Sequence, residues 1–225
     1  MALLEEIVYD VREGIKEYSD DSEFSNEYII YLYNIKRAKY LKQRLDRLGR
    51  KFDTRVLQTI CICLEEVDAN QCSIDTGCDK ILRSKKQIPD LLQLSDKDAI
   101  ERVGPSTKLS VKYNNISKEK AAYYLKSNFA NKIKSYLDDD GYLYLFSSQP
   151  IFTECISISG VFENPLDLVG YDRCGEENTS CFDEMKDDYP LTPDLIDIIR
   201  MEIINELLGR KDPRLEDRQN DSDDE

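Results

Sequence analysis

Histidine and tryptophan are both absent from the 225 residues, and methionine occurs only three times. Without histidine the chain lacks the commonest general acid–base group and the commonest metal ligand, so Ser-His-Asp and Cys-His catalysis are excluded. No run of about 18 apolar residues exists, which excludes a membrane-spanning helix. Phosphate-cradling glycine loops of the G-x-x-x-x-G-K-S/T or G-x-G-x-x-G kind are also missing. The first residues, Met1-Ala2-Leu3-Leu4-Glu5-Glu6, have no basic n-region and no long apolar stretch, so no signal peptide is expected.

Cysteine is present seven times, an odd count without framework spacing. The expectation is reduced thiols in a cytosolic compartment; if any disulfide forms, Cys174 and Cys181 are the expected pair. Cys61-x-Cys63, Cys72-x5-Cys78 and Cys174-x6-Cys181 all lack the two-residue spacing of a zinc knuckle, so structural zinc is disfavoured. Fourteen tyrosines supply most of the aromatic content, and their apolar bodies with polar rims suit interfaces as well as half-buried positions. Hydrophobic residues make up 40% and charged residues 34%, which fits a globular chain with much exposed surface or a subunit of extended shape.

Charge is distributed unevenly. Between residues 36 and 55, Lys36, Arg37, Lys39, Lys42, Arg44, Arg47, Arg50, Lys51 and Arg55 face only Asp46 and Asp53, so 9 minus 2 gives +7. The remaining 22 basic and 43 acidic residues give −21. Such a basic comb is a solvated helix face, a contact for an acidic protein surface, or a contact for nucleic acid. The net charge of −14 opposes stable wrapping by DNA and suits a surface past which DNA slides.

Residues 3–18 and 24–48 carry helical periodicity. In the second segment Tyr28, Tyr31, Ile35, Ala38, Leu41, Leu45 and Leu48 form the expected buried stripe. A short polar link favours an antiparallel pair. Val56–Leu64, Lys80–Ser84, Lys108–Tyr113, Tyr142–Phe146 and Ile151–Phe162 read as strands, with a short helix from Ser117. Thr192, Pro193 and Asp194 start a helix that runs to about Leu208, and Gly209 ends it. The expected fold is therefore α+β: N- and C-terminal helices form a small helical bundle, with a β-rich, mostly antiparallel insertion. The expected segments are a helical hairpin (1–55), the β-rich insertion with short helices (56–170), a connection and C-terminal helix (171–209) and a charged tail or arm (210–225). Asp138-Asp139-Asp140-Gly141 reads as a solvated turn; the alternative is an acidic cluster of a metal-dependent nuclease. Asp187-Asp188 reads the same way.

The order of elements, with particular phrases, resembles the head-to-tail connector (adaptor or ring) subunits of short-tailed, crAss-like bacteriophages. The likeness begins at Tyr28-Ile29-Ile30-Tyr31-Leu32-Tyr33-Asn34-Ile35-Lys36-Arg37-Ala38 and runs through the basic turns to Lys51. It continues in Phe52-Asp53-Thr54-Arg55-Val56-Leu57-Gln58-Thr59-Ile60, Cys63-Leu64-Glu65-Glu66-Val67-Asp68 and Arg83-Ser84-Lys85-Lys86-Gln87-Ile88-Pro89. The helix from Asp194 to Leu208, followed by Asp212-Pro213 and Asn220-Asp221, completes it. The resemblance implies a structural virion protein, assembled in the bacterial cytoplasm, without catalytic residues or cofactor. It implies a dodecameric ring under the portal, touching neighbouring copies, the portal protein and the next tail ring, with DNA passing transiently through the lumen and no membrane contact. The alternative is a generic acidic protein-interaction module. On the ring reading, the basic comb (Lys36 to Arg55, as named above) and the tail acids Asp221, Asp223, Asp224 and Glu225 are the expected contact residues.

Overall fold

A computed structural model of the full chain describes residues 2–18, 24–47, 52–73, 80–95, 97–108, 110–117, 133–147, 151, 153–172, 174, 182–183 and 186–209. Contacts divide the chain into two compact units, Met1–Leu41 with Glu184–Glu225, and Lys42–Asp183.

The first unit is helical. Helix α1 (Leu4–Lys16) buries Leu4, Ile7, Val8, Val11 and Ile15 at spacings of three and four. Its start is held by Glu6, whose carboxylate accepts from the Leu3 backbone N–H at 2.9 Å. Helix α2 is Asn26–Arg47, and the C-terminal helix, α3, is Pro193–Gly209. The backbone N–H groups of Leu195 and Ile196 donate to the Thr192 carbonyl at 3.0 and 3.1 Å, which starts α3 where proline and the first-turn Asp194 predict. The helix packed on α1 is α3: a Cβ on Gly14 would lie 2.6 Å from Ile204 Cδ1, and Arg200 reaches Asp10 at 3.4 Å.

The second unit is a seven-stranded, barrel-like sheet. In chain order the strands are β1 (Gln58–Asp68), β2 (Lys80–Ser84), β3 (Ile100–Pro105), β4 (Asn114–Asn115), β5 (Lys134–Leu137), β6 (Leu143–Phe146) and β7 (Cys155–Gly160). Their order in the sheet is β3-β7-β1-β2-β6-β5-β4, and only the β4–β5 pair is parallel. Strand β1 joins the two halves. Its residues Gln58–Cys63 pair with β7, and Leu64–Asp68 pair with β2. Alternation places Ile60, Ile62 and Leu64 in the interior. Under β2, β5 and β6 lies a cluster of Cys72, Ile81, Ile116, Tyr136, Tyr144 and Phe146.

This sheet corrects the expected architecture. The fold is mostly β with a few helices, and the sheet is its main body rather than an insertion in a helical bundle. Three strands, β3, β4 and β5, escape sequence patterning. Strand β3 includes Gly104 and Pro105, and β5 is a four-residue piece whose Lys134 and Ser135 are buried. The expected strand at Lys108–Tyr113 does not form. The Val111 N–H turns back onto the Lys108 carbonyl at 3.1 Å, and Arg102 donates to the carbonyls of Lys108 and Val111, each at 3.0 Å. A Cβ on Gly104 would sit 2.2 Å from the Val111 oxygen, so this close approach requires glycine. The expected helix from Ser117 and the tail 210–225 lie outside the described residues.

Candidate subunit interface

The basic comb divides by environment. In the first unit its leading residues are turned inward. Lys36 is 8% exposed, and its ammonium lies 2.8 Å from Glu202 and 2.9 Å from Glu206 of α3. Glu202 also accepts from Tyr40 OH at 2.6 Å and lies 3.4 Å from the exposed Lys39. These donors, Lys36 first and Tyr40 next, hold the Glu202 carboxyl down at about 2. Burial pulls the Lys36 ammonium downward, but its hydrogen bonds to Glu202 and Glu206 outweigh that, and the net direction is up. Arg37 is fully buried: its Nε donates to the Pro190 carbonyl at 3.0 Å and its guanidinium sits 5.9 Å over the Tyr189 ring. Desolvation lowers the Arg37 pKa.

The remaining comb residues belong to the second unit. Lys42, Arg47 and Arg55 are exposed and Arg44 is half-buried. Asp46 accepts from the backbone N–H and hydroxyl of Ser95 at 3.2 and 2.9 Å. Arg50 and Lys51 lie outside the described residues, as do Asp221, Asp223, Asp224 and Glu225 of the tail.

The apolar stripe expected on α2 holds at Leu41 and Leu45, which are buried, but is rotated in the first half of the helix. Ile29, Leu32 and Tyr33 fill the interior beside Lys36 and Arg37, while Tyr31 is 59% and Ile35 48% exposed. Phe24, Tyr28 and Tyr31 stack along the outer side, with ring centroids 6.4 and 6.5 Å apart. The rotation follows from partners distant in sequence: Tyr33 OH donates to the Ile196 carbonyl at 2.9 Å, and Glu202 with Glu206 receives Lys36. The spacing of those two acids, four residues apart on α3, is the one sequence signal that could have marked an acceptor for a cation. Helix α3 also exposes apolar side chains, Ile198 at 49% and Met201 at 52%.

The acidic turn proves to be a structural lock. Asp138, 6% exposed, accepts from Ser73 N–H at 2.8 Å, Ser73 Oγ at 2.5 Å, Tyr136 OH at 3.1 Å and Asp139 N–H at 2.8 Å. Burial pushes its pKa up, but these donors outweigh it and the net direction is down. Burial, with the neighbouring Asp138, raises Tyr136 to about 12. Asp140 accepts from Tyr142 N–H and Tyr144 OH, both at 2.9 Å, and Gly141 takes φ 79° to close the β5–β6 turn. Among the described residues no cluster of acids or cysteines is arranged to hold a metal ion.

The cysteines depart from the expectation of free thiols. Cys63 and Cys155 stand opposite each other in the β1–β7 ladder, Cα atoms 3.8 Å apart, and are bonded. The Cys61 N–H donates to the Asp172 carbonyl at 3.1 Å, which brings Cys174 alongside, and these two form the second disulfide. Both pairs join segments about a hundred residues apart, beyond the reach of spacing rules.

Comparison with known proteins follows this geometry. A family model described as phage tail ring protein 2 matches residues 6–225. Ring protein 2 of Bacteroides phage crAss001 is 30% identical over 208 residues, covering 91% of this chain and 89% of that protein. Both agree with the resemblance drawn from the sequence.

Proposed function

The chain belongs to the phage tail ring protein 2 family, and from that premise we propose that it docks to the portal as one subunit of a dodecameric ring through whose lumen DNA passes. It is a structural component of the phage tail and hence of the virion. The proposed partners are the portal protein, neighbouring copies and the next tail ring, met during assembly in the host cytoplasm.

The observation that carries the docking reading is the segregation of charge. Lys42, Arg47 and Arg55 are exposed on a chain of net charge −14. A cationic patch on an otherwise anionic subunit favours contact with the unlike face of another chain. The acidic surplus keeps contact with passing DNA weak, because like charges repel. The acidic tail, through Asp221, Asp223, Asp224 and Glu225, is assigned to a basic surface on the portal or an adjacent copy.

The test combines the full chain with portal particles and measures the mass of the product by light scattering. Binding as a closed multimer is expected. Glutamate at the exposed Lys42, Arg47 and Arg55 together is expected to weaken docking at least tenfold while the isolated chain keeps its melting temperature. Normal docking by that triple variant would overturn the electrostatic reading, and a wild-type chain that stays monomeric with portal would overturn the ring reading.

A further inference from the structure

The two disulfides of the second unit hold different things. Cys63–Cys155 links strands that are already paired, at the end of a β1–β7 ladder that begins at Gln58 and Gly160. Cys61–Cys174 links β1 to a segment outside the sheet. Alternation along β1 shows what that segment covers. The Cys61 N–H points away from β7, so the backbone groups of Ile60 and Ile62 point toward it. Strand β2 pairs with Leu64–Asp68 and does not reach the other edge at Cys61. There the Asp172 carbonyl accepts from the Cys61 N–H at 3.1 Å in an isolated bridge, and Lys85 N–H donates to the Cys63 carbonyl at 2.9 Å.

The covering segment has no apolar anchor of its own. Leu168 before it is fully buried and Phe182 after it is 2% exposed. Among the described residues between them, Val169, Gly170, Tyr171, Asp172 and Cys174, none is buried. Polar contacts on the exposed side assist: Tyr171 OH donates to the Gln87 carbonyl at 2.7 Å, and Lys86 Nζ donates to the Gly170 carbonyl at 3.1 Å. A segment with few buried apolar contacts and solvent-exposed hydrogen bonds opens locally at low cost.

We propose that Cys61–Cys174 is a redox-operated clasp that holds the segment around Asp172 over the edge of β1, and that its reduction frees the segment while the sheet stays folded. Both cysteines are half-buried, within reach of a small thiol. Closing the clasp takes two electrons from the two thiols. With a low-molecular-weight disulfide as oxidant, the Cys61–Cys174 bond forms, the oxidant's S–S bond breaks, and both protons leave on its two thiols. Excess small thiol runs the exchange backwards. A reducing cytosol keeps the clasp open and an oxidising medium closes it. Opening bares backbone groups of β1 that point away from β7, the kind of edge that accepts a further strand. Both halves of the clasp lie in one copy, so it is independent of the ring reading.

Amide hydrogen exchange, read residue by residue by NMR on the full chain, tests it, with Ile60 and Ile62 as internal references. In the oxidised chain the position-61 amide is expected to exchange within about tenfold of both. With excess dithiothreitol, or in the Cys61→Ser, Cys174→Ser double variant, it should exchange at least about a hundredfold faster than they do, because it loses its acceptor and they keep theirs. The Cys63→Ser, Cys155→Ser double variant should leave the three amides within about tenfold of one another. Relative rates that do not change on reduction would overturn the clasp, as would selective opening of position 61 in the Cys63→Ser, Cys155→Ser variant. So would a folded wild-type chain whose Cys61 and Cys174 resist dithiothreitol, followed by alkylation and mass spectrometry.

Discussion

Replacing Glu202 by glutamine tests how the first unit tolerates a buried cation. Glu202 holds Lys36 at 2.8 Å and accepts from Tyr40 at 2.6 Å, and its carboxyl is lowered from 4.5 to about 2. At about 1.36 kcal/mol per pH unit that lowering corresponds to at most about 3.4 kcal/mol. The side chain is 31% exposed, so solvent screening reduces the expected loss to roughly 1.5–2 kcal/mol at pH 7. Glu206 still reaches Lys36 at 2.9 Å, which caps the damage. Replacing both acids leaves the ammonium buried without a carboxylate and is expected to cost about 3–5 kcal/mol. The sign with pH is fixed by the lowered carboxyl. Its contribution is complete above the unfolded value near 4.5 and disappears as pH falls through about 2. Urea unfolding of wild type and Glu202→Gln at pH 7 and pH 3 should therefore show a gap that shrinks by about half or more at the lower pH. A gap below about 0.5 kcal/mol at pH 7 would refute the reasoning, since that is the range of an idle surface pair. So would a gap unchanged at pH 3.

The acidic turn gives a second prediction. Asp138→Ala strands the Ser73 and Tyr136 donors and should lower stability by about 2–3 kcal/mol in thermal or urea unfolding, whereas loss of a metal centre would instead change a cation titration. Reducing the two disulfides should lower the melting temperature, because each closes a loop of about a hundred residues; a loss of about 2–4 kcal/mol per bridge is expected, measured by calorimetry with and without reductant. Deleting residues 210–225 should weaken binding to portal particles severalfold without moving the melting temperature, checked by sedimentation and calorimetry.

Much of the local structure was legible. The periodicity over residues 3–18 and the Thr192-Pro193 cap place α1 and α3 within a residue or two of expectation, because they depend on neighbours in sequence. The runs expected as strands at Val56–Leu64, Lys80–Ser84, Tyr142–Phe146 and Ile151–Phe162 overlap β1, β2, β6 and β7 for the same reason, with shifted ends. Readings failed where distant partners decide. The rotation of α2 depends on Glu202, Glu206 and Pro190, more than 150 residues away. Lys108–Tyr113 alternates like a strand, yet Arg102 draws its carbonyls into a turn. The dominance of the sheet was hidden because β3 and β5 contain residues that favour neither a strand nor burial, among them Pro105 and Lys134. For the interface, the comb was visible but its division was not. Lys36 and Arg37 look like Lys42 and Arg47 in sequence, and only the fold shows that the first two are spent inside the copy.

The most direct measurement is a cryo-electron microscopy reconstruction of intact phage tails at side-chain resolution. The expected result is a closed ring of this chain around the channel, with the exposed Lys42, Arg47 and Arg55 seated against another chain. An open lattice, or a ring in which all three face solvent, would contradict it.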